Sequence, residues 1–380
     1  MDLCVAVGVA GYAVGQFEER KGLEHMQILL TIVALLIVLG VVVFVHELGH
    51  FLAARWAGVR VDTFSIGFGP AIVKWHDKRG TLWKVACLPL GGYVSIYGQE
   101  DMFNRKKYAE LPADKKRGHY LSAPAWKQFI IIAAGVFMNF LLAWGIYTSL
   151  FMFQPRLVGN SQLPVVGQVI QESVAFNAGI RSGDTIVRID DEKISNWGDL
   201  ILAKELASNR DADVLIVRGD ELINVKLAPA ERWGMVADGA RRADPERQGL
   251  FQAMYSGARK TYYESKTLVV VLKQIITGER SSKQLGSFIT IAEYSGKAML
   301  AGFFTLLSLI ALLSVNLGVL NLLPLPVLDG GYLLILFIEA ITRRKLQGRG
   351  MEIAIMLGWL LILGLFALTM WNDLARVFGL

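Results

Sequence analysis

Long apolar runs alternate with charged, polar segments along the chain. Four runs, at about 28–54, 128–153, 299–324 and 352–371, are long enough to cross a bilayer core, which takes about 20 helical residues. The pattern therefore predicts a polytopic α-helical membrane protein with about four transmembrane helices.

The polar segments between these runs contain two patterns typical of β-structure. Residues 64–98 are apolar on both sides of a turn-forming stretch at 77–80, which predicts a β-hairpin. Residues 160–230 combine short strands with an amphipathic helix around 197–207, which predicts an extracytoplasmic α+β domain. The hairpin residues that we expect to lie against the membrane are Phe64, Ile66, Val73, Trp75, Trp83 and Val85.

The same pattern divides the rest of the chain. Residues 1–25 form an N-terminal extension without an assigned function, read either as a peripheral external arm or as a stretch preceding the true start at Met26. We expect amphipathic helices at 250–278 and 285–297, after a charged linker that begins at 231. The predicted order is extension (1–25), transmembrane helix 1 (26–57), hairpin and loop (58–127), transmembrane helix 2 (128–153), α+β domain (160–230), linker and amphipathic helices (231–298), transmembrane helix 3 with the following motif (299–331), and a loop with transmembrane helix 4 (332–380).

Composition and charge support this interpretation. The chain is 53% hydrophobic and 19% charged, with a mean hydropathy of +0.43, which excludes an ordinary soluble globular protein. Lys and Arg concentrate at 55–127 and 343–349, and cytoplasmic loops retain such residues. We therefore expect both loops in the cytoplasm and the 160–230 domain outside. The net charge of +6 is then explained by topology and lipid contact, without a nucleic-acid partner.

Candidate chemistry lies inside the first apolar run. His46, Glu47 and His50 form His-Glu-Leu-Gly-His, and a helix places the two imidazoles one turn apart on one face, where they can hold one Zn²⁺ beside Glu47. Each charged group at bilayer depth costs at least a few kcal/mol, which favours a metal that uses all three. The two cysteines, Cys4 and Cys87, form neither a disulfide framework nor a metal-ligand pattern.

A zinc peptidase needs a third protein ligand, and Asp329 is the candidate. It follows the third run, where Pro324 and Pro326 break the helix and the next two residues are glycines. From the residues alone, a turn-forming role for Asp329 is an equal alternative. The remaining histidines, His25, His76 and His119, lie in charged stretches and are expected at the solvated surface.

Two asparagines in the third run suggest a second polar site. Asn316 and Asn321 lie five residues apart in an otherwise apolar helix, where an unpaired amide is costly. They are expected to bond to the backbone, to a neighbouring helix or to a substrate.

Several separated motifs resemble the site-2 protease family of intramembrane zinc metalloproteases, in its bacterial regulator-of-sigma-E branch. The similar stretches are residues 46–50, 68–70, 89–94 and 321–331. The resemblance implies one Zn²⁺ held by His46, His50 and Asp329, with Glu47 as general acid/base in peptide hydrolysis. It also implies regulated intramembrane proteolysis of single-span membrane proteins, such as anti-sigma factors already cut by a first protease, or remnant signal peptides.

The resemblance extends to substrate handling and location. The candidate substrate-binding residues are Gly67, Gly69, Asn316, Asn321, Pro324 and Pro326. Residues 160–230 resemble a single PDZ domain, which would bind peptide ends or a substrate ectodomain or else merely block access. Ser287 and Phe288 stand where the family usually has Gly-Pro. The implied location is the bacterial inner membrane, with the zinc site toward the cytoplasm and the PDZ domain in the periplasm.

Two other functions compete with the protease. An inactive homologue could bind transmembrane segments as a scaffold, although the intact motif residues oppose this. A metal transporter would also bury His and acidic residues, but it needs further ligands along a polar path, and the second and fourth runs contain almost none.

Overall fold

The structure is a computed structural model, which describes residues 3–103, 105–154, 163–194, 197–207, 210–230, 233–238, 247–278, 287–346 and 349–378; for 3–25 it gives the helical backbone alone. Its helices are α1 (Leu3–Ala57), α2 (Arg105–Glu110), α3 (Ala113–Lys116), α4 (Ala125–Phe153), α5 (Val174–Asn177), α6 (Trp197–Leu206), α7 (Leu250–Ile276), α8 (Phe288–Ala301), α9 (Phe303–Asn321), α10 (Asp329–Thr342) and α11 (Arg349–Phe378). Its strands are β1 (Val61–His76), β2 (Leu82–Ile96), β3 (Val166–Val169), β4 (Thr185–Ile189), β5 (Glu192–Lys193), β6 (Ala212–Arg218), β7 (Glu221–Leu227) and β8 (Met235–Ala237).

Among the described residues, four helical segments are long and apolar enough to cross a membrane: Met26–Ala57, Ala125–Phe153, Phe303–Asn321 and Ile353–Arg376. They coincide with the four predicted runs to within five residues at either end, and the largest difference at a starting residue is at the third, which begins at 303. There Gly302 has a φ of 111°, a left-handed conformation that separates α8 from α9. The predicted third span therefore begins later than residue 299.

The chain forms two compact units, 1–142 with 282–380, and 143–281. In the first unit, one core joins α1, the hairpin, α4 and α10 through buried residues that include Phe51, Phe64, Ile131 and Leu336. Helix α10 was not predicted, since residues 332 onward were expected to be a loop leading to the last span. Its Ile335, Leu336 and Glu339 are buried, because one face of this helix completes the core.

The predicted hairpin is confirmed, since β1 and β2 pair antiparallel around the turn at 77–81. Residues 63–66 face both 92–95 and 82–85, so this part of β1 lies between two parts of β2. The outer segment 71–76 is exposed along its whole length.

The prediction that Phe64 lies against the membrane was wrong. Phe64 is fully buried and its ring packs on Phe44, Phe51 and Trp83, because this part of β1 faces the protein core. Two of the six predicted residues, Val73 and Trp75, are exposed, and so are the large apolar side chains of Phe68, Ile72 and Leu88.

The expectation of a solvated His119 was also wrong, since only 1% of the residue is exposed. Its Nδ1 accepts a hydrogen bond from the backbone N–H of Leu121 (3.1 Å), so Nε2 carries the proton and faces Asp101 Oδ2 at 3.2 Å. The charged side chains around it therefore partner the ring instead of exposing it to water. His76 lies at the surface as expected.

The Ser287-Phe288 departure from the family pattern forms a helix cap. The hydroxyl of Ser287 accepts from the N–H of Ile289, and Asp373 of α11 accepts from the N–H groups of Ser287 (3.0 Å) and Thr290 (3.1 Å). Since the first N–H groups of a helix have no partner within it, these contacts satisfy them. The predicted amphipathic helix at 285–297 begins at 288 in the structure, and residues 285–286 lie outside the described residues.

The second unit contains a small α+β domain. Its sheets have the strand orders β5-β4-β6-β7 and β3-β8, and its core contains Val166, Ile186, Ile216, Leu227 and Trp233. Strand β8 lies within the predicted linker, since Trp233 and β3 hold this part of the chain against the domain. Most of the rest of that linker, 239–246, lies outside the described residues. The helix predicted at 250–278 corresponds to α7 (Leu250–Ile276).

The hairpin turn depends on Asp77. Partial burial would raise the pKa of its carboxyl, but hydrogen bonds from Trp83, Arg79, Arg55 and Thr81 outweigh that effect and lower the pKa to about 2. This stabilisation is present above the usual aspartate pKa of 3.8 and is lost as the pH falls from there through about 2.

We predict that Asp77→Ala lowers the free energy of unfolding by about 1–2 kcal/mol at neutral pH, because it leaves these donors unpaired. The difference from wild type should shrink below about pH 4, as measured by thermal unfolding of the full chain in detergent. The control is Asp62→Ala, which removes an exposed ion pair with Arg60 and should cost much less. Equal losses of stability in the two variants would show that the hydrogen bonds to Asp77 do not stabilise the turn.

Candidate metal centre

Helix α1 places two imidazoles on the same face, one turn apart. His46 and His50 are 7% and 9% exposed, and their Nε2 atoms lie 3.2 Å from each other. Their rings meet edge to face, with centroids 4.8 Å apart. The four-residue spacing in the sequence therefore gives two nitrogen atoms that converge on one point.

Asp329, the first residue of α10, brings a carboxylate to the same point. Its Oδ2 lies 3.2 Å from His46 Nε2 and 3.3 Å from His50 Nε2. These three residues are the one group of three or more His, Cys, Asp or Glu side chains, among the described residues, whose ligand atoms are close enough to share an ion. The structure thus joins residues 279 or more positions apart in the sequence.

Two glycines explain how the chain delivers Asp329. A Cβ on Gly330 would overlap the carbonyl of Leu322, and one on Gly331 would overlap that of Leu325. The first turn of α10 therefore lies directly on the backbone of the preceding turn, an approach that any side chain would prevent. This close packing requires glycine at both positions that follow Asp329.

The donor set fits a zinc ion. The Nδ1 of His50 donates to the carbonyl oxygen of Ile131 (2.8 Å), which leaves the Nε2 lone pair directed at the cluster. The buried Oδ2 of Asp329 has no hydrogen-bond donor among the described residues. Two imidazole nitrogens and one carboxylate oxygen that converge on one point suit a cation, and two His with one acidic residue is a zinc ligand set.

Asn139 of α4 holds the other ring, and sequence reasoning missed it. This fully buried residue places its side-chain amide 3.1 Å from His46 Nδ1. Ser314 donates to the backbone carbonyl of Asn139 (2.9 Å) and lies 3.5 Å from its Oδ1. The atom of Asn139 that faces the ring here is Nδ2; with zinc on His46 Nε2, Nδ1 would carry the proton and the Asn139 amide would turn its oxygen to accept it.

Gly135, one turn before Asn139, was also missed. A Cβ at this position would overlap the imidazole of His50, and a Cβ on Gly49 of α1 would overlap the carbonyl of Ala134. Helices α1 and α4 therefore touch at the metal ligands. In the sequence, a glycine and an asparagine four residues apart in an apolar span could have indicated this contact. The asparagines of the third run indicated a polar site in the same way.

Glu47 lies beside the cluster and next to the hairpin. Its side chain is half-buried, and a Cβ built on Gly92 of β2 would lie 3.7 Å from Glu47 Cγ and 2.6 Å from the carbonyl oxygen of Ser65. Because Gly92 has no side chain, the backbone of β2 passes directly alongside Glu47.

The predicted substrate-binding residues divide into two groups. Asn321 belongs to the centre, since its Nδ2 lies 3.4 Å from His46 Nε2. Asn316 is half-buried on α9, and no hydrogen bond joins it to the cluster among the described residues. Pro324 is exposed, and Pro326 packs near Gly358 of α11.

The two hairpin glycines serve the backbone of β1. Both have a φ of 88°, and a Cβ on Gly67 would lie 2.7 Å from the carbonyl oxygen of Leu88. Gly67 is buried and Gly69 is exposed, so only the second could present its backbone to a ligand without movement of the strand.

Apolar helices of membrane-spanning length that carry a His-His-Asp group define a membrane metalloprotein. Peptidase family M50 matches residues 34–365, and the chain belongs to this family, the site-2 proteases. It is a membrane-embedded zinc metalloprotease.

Several proteins are similar to this chain over nearly its whole length. A protein of Agrobacterium fabrum named "putative zinc metalloprotease" is 35% identical over 373 residues, 92% of this chain and 96% of the relative. One of Campylobacter jejuni with the same description is 34% identical, covering 91% and 94% of the two chains. The metalloprotease MmpA of Caulobacter vibrioides is 32% identical, covering 92% and 96%.

We predict that Gly135→Ala reduces zinc binding severely, because the added methyl group displaces the His50 ring. Bound zinc in the purified full chain, measured by atomic absorption, tests this. Gly145→Ala in the same helix is the matched control, since a Cβ there meets nothing within 4 Å and alanine favours a helix. Wild-type zinc content in Gly135→Ala would disprove the close approach.

We predict that Asn139→Ala weakens zinc binding by about 10- to 100-fold, the usual cost of losing a partner that orients a histidine ligand. Competition with a chelator measures the affinity. Ser149→Ala is the control, because within the described part of the chain its hydroxyl bonds only to the Gly145 carbonyl of its own helix (2.9 Å). Equal affinity in the two variants would show that Asn139 does not orient His46.

Proposed function

We propose that the protein is an intramembrane endopeptidase that hydrolyses peptide bonds of single-span membrane proteins within or beside the bilayer. The observation that carries this proposal is the position of the metal group: His46 and His50 lie inside the apolar segment Met26–Ala57. A soluble substrate would have little access to ligands at that depth.

The chemistry assigns a role to each residue. His46, His50 and Asp329 would hold the metal, and a bound Zn²⁺ would supply Lewis acidity to activate a water and polarise a carbonyl. Glu47 takes a proton from the attacking water and returns it to the leaving amide nitrogen as the peptide bond breaks. One carboxylate thus serves in turn as base and acid.

Asn321 is proposed to bind the substrate carbonyl. Its amide faces the same His46 Nε2 lone pair that a metal would use. Since one lone pair cannot serve both partners, the Asn321 amide would be free beside the ion when His46 Nε2 is a zinc ligand. A hydrogen-bond donor at this place can orient the scissile carbonyl.

The substrate must be extended at the point of cleavage. A transmembrane helix satisfies its own backbone groups, and an unwound segment in lipid needs new partners. The hairpin backbone at Gly92 runs beside Glu47, so strand addition to the sheet would bring an extended peptide to the acid/base residue. Gly69, Pro324 and Pro326 are the further candidates for contact with this peptide.

The small domain is proposed to be a PDZ domain that receives peptide ends or a substrate ectodomain. Strand β8 pairs with β3 alone among the described strands, which leaves one edge for strand addition. The cationic loops 55–127 and 343–349 favour a cytoplasmic side for the hairpin, and a periplasmic side for this domain, in a bacterial inner membrane. By family resemblance, trimmed anti-sigma factors and remnant signal peptides are the proposed substrates.

We predict that Glu47→Gln keeps about one zinc per chain and loses peptide cleavage, because the amide cannot accept the proton. Wild type and variant would be purified in detergent, assayed for zinc and mixed with a model single-span substrate that lacks its ectodomain. His46→Ala is the control that should lose both metal and activity. If neither wild type nor Glu47→Gln cleaves although both hold zinc, the scaffold function replaces the protease.

A further inference from the structure

Helix α7 carries an apolar stripe whose only ring contact among the described residues, from Tyr262 to Tyr263, lies within the same helix. Phe251, Tyr255, Tyr262, Val269 and Ile276 are 86%, 71%, 63%, 55% and 84% exposed. Their spacings of four and then seven residues place all five on one face of the helix. An exposed apolar face of this length marks a contact with another apolar phase.

A second face of α7 packs on the end of α4. Gly257 lies against Thr148, so that a Cβ there would be 2.7 Å from the Thr148 hydroxyl. Trp144 Nε1 donates to the Met254 carbonyl (2.9 Å). On the same face, the Tyr147 hydroxyl donates to Glu264 (2.7 Å).

A third face holds the small domain. Lys266 pairs with Glu192 at 2.7 Å, and the Tyr263 hydroxyl also lies 3.4 Å from this carboxylate. Arg259 lies 3.9 Å from Asp199 of α6. Residues 259, 263 and 266 are separated by four and three positions, so they form one face of α7, distinct from the stripe.

The position of α7 on α4 identifies what covers the stripe. At about 1.5 Å per residue, the 29 residues of α4 extend about 43 Å, beyond the roughly 30 Å of a bilayer core. Thr148 lies within five residues of the end of this helix, at Phe153, which is itself 56% exposed. Helix α7 therefore meets α4 at the depth where acyl chains give way to headgroups.

The residue composition of α7 is typical of a helix at the membrane–water interface. Tyrosines are enriched at membrane–water interfaces, and helices that lie in the interface combine an apolar face with basic residues. Arg259, Lys260 and Lys266 pair with Asp199, Glu264 and Glu192, whereas the exposed Lys273 has no ion pair among the described residues and can face anionic lipid phosphates.

We propose that α7 lies in the plane of the membrane interface, with its stripe inserted among lipids, and that its third face holds the small domain at the bilayer surface. The partner is lipid, not a second protein. The proposal does not depend on proteolysis, and its test is independent of activity.

Site-directed labelling of the full chain tests it. Single cysteines would replace Tyr255 and Tyr262 after Cys4 and Cys87 are changed to serine, and each would carry an environment-sensitive nitrobenzoxadiazole fluorophore. The protein would be reconstituted in nanodiscs of phosphatidylethanolamine and phosphatidylglycerol. Asp220→Cys is the control, since Asp220 lies exposed in the turn between β6 and β7.

Spin-labelled lipid should quench the fluorophores at 255 and 262 severalfold more than the one at 220, and aqueous iodide should show the reverse order. Iodide quenching at 255 and 262 equal to that at 220 would place the stripe in water and overturn the proposal. Protection from both quenchers would also overturn it, because a protein would then cover the stripe. Retained zinc and an unchanged elution volume establish that each labelled protein is folded.

Discussion

The convergence of two imidazoles and one carboxylate on a single point is the interaction on which the apolar half of this structure depends. Each ionisable group at membrane depth costs at least a few kcal/mol on its own, and a shared cation offsets the cost only if all three ligand atoms meet. Glycines in the surrounding sequence allow the three ligand atoms to come together. Glycines at 49 and 135 bring α1 and α4 into contact beside the histidines, and Gly330 and Gly331 seat Asp329 on the preceding turn.

Features with a short-range signal could be predicted from the sequence. The apolar runs follow from length and composition, the hairpin from residues on both sides of one turn, and the two histidines from the four-residue repeat of a helix. Asp329 was a candidate from its position after the third run, but only the resemblance favoured a metal ligand over a turn former, since nothing local separates the two. Helix α10, the burial of Phe64 and of His119, and the contact of Asn139 with His46 arise from packing between distant segments. The types and spacing of residues in the sequence do not predict contacts between segments that are far apart in the chain.

The hairpin has two sides with different partners. Its inner part, at Phe64 and Trp83, packs on α1, while Phe68, Ile72 and Trp75 extend outward with large exposed surfaces. Asp77 accepts hydrogen bonds from four residues and fixes the turn on α1 through Arg55. The anchored side therefore sets the path of β2 past Glu47. An extended peptide added to such a sheet would be aligned by the same backbone that is held beside the acid/base residue.

The hydrogen bonds that orient the two histidine ligands distinguish a protease site from a transport site. His50 donates its Nδ1 proton to the Ile131 carbonyl, and Asn139 can hold the Nδ1 proton of His46, so both rings are fixed by bonds outside the cluster. A transport site must release its ion, and it passes the ion to further ligands along a path. Among the described residues, no second group of three ligands lies close enough to receive it. Ligands locked in orientation, with a carboxylate one residue from His46, favour a metal that stays in place while a substrate reacts beside it.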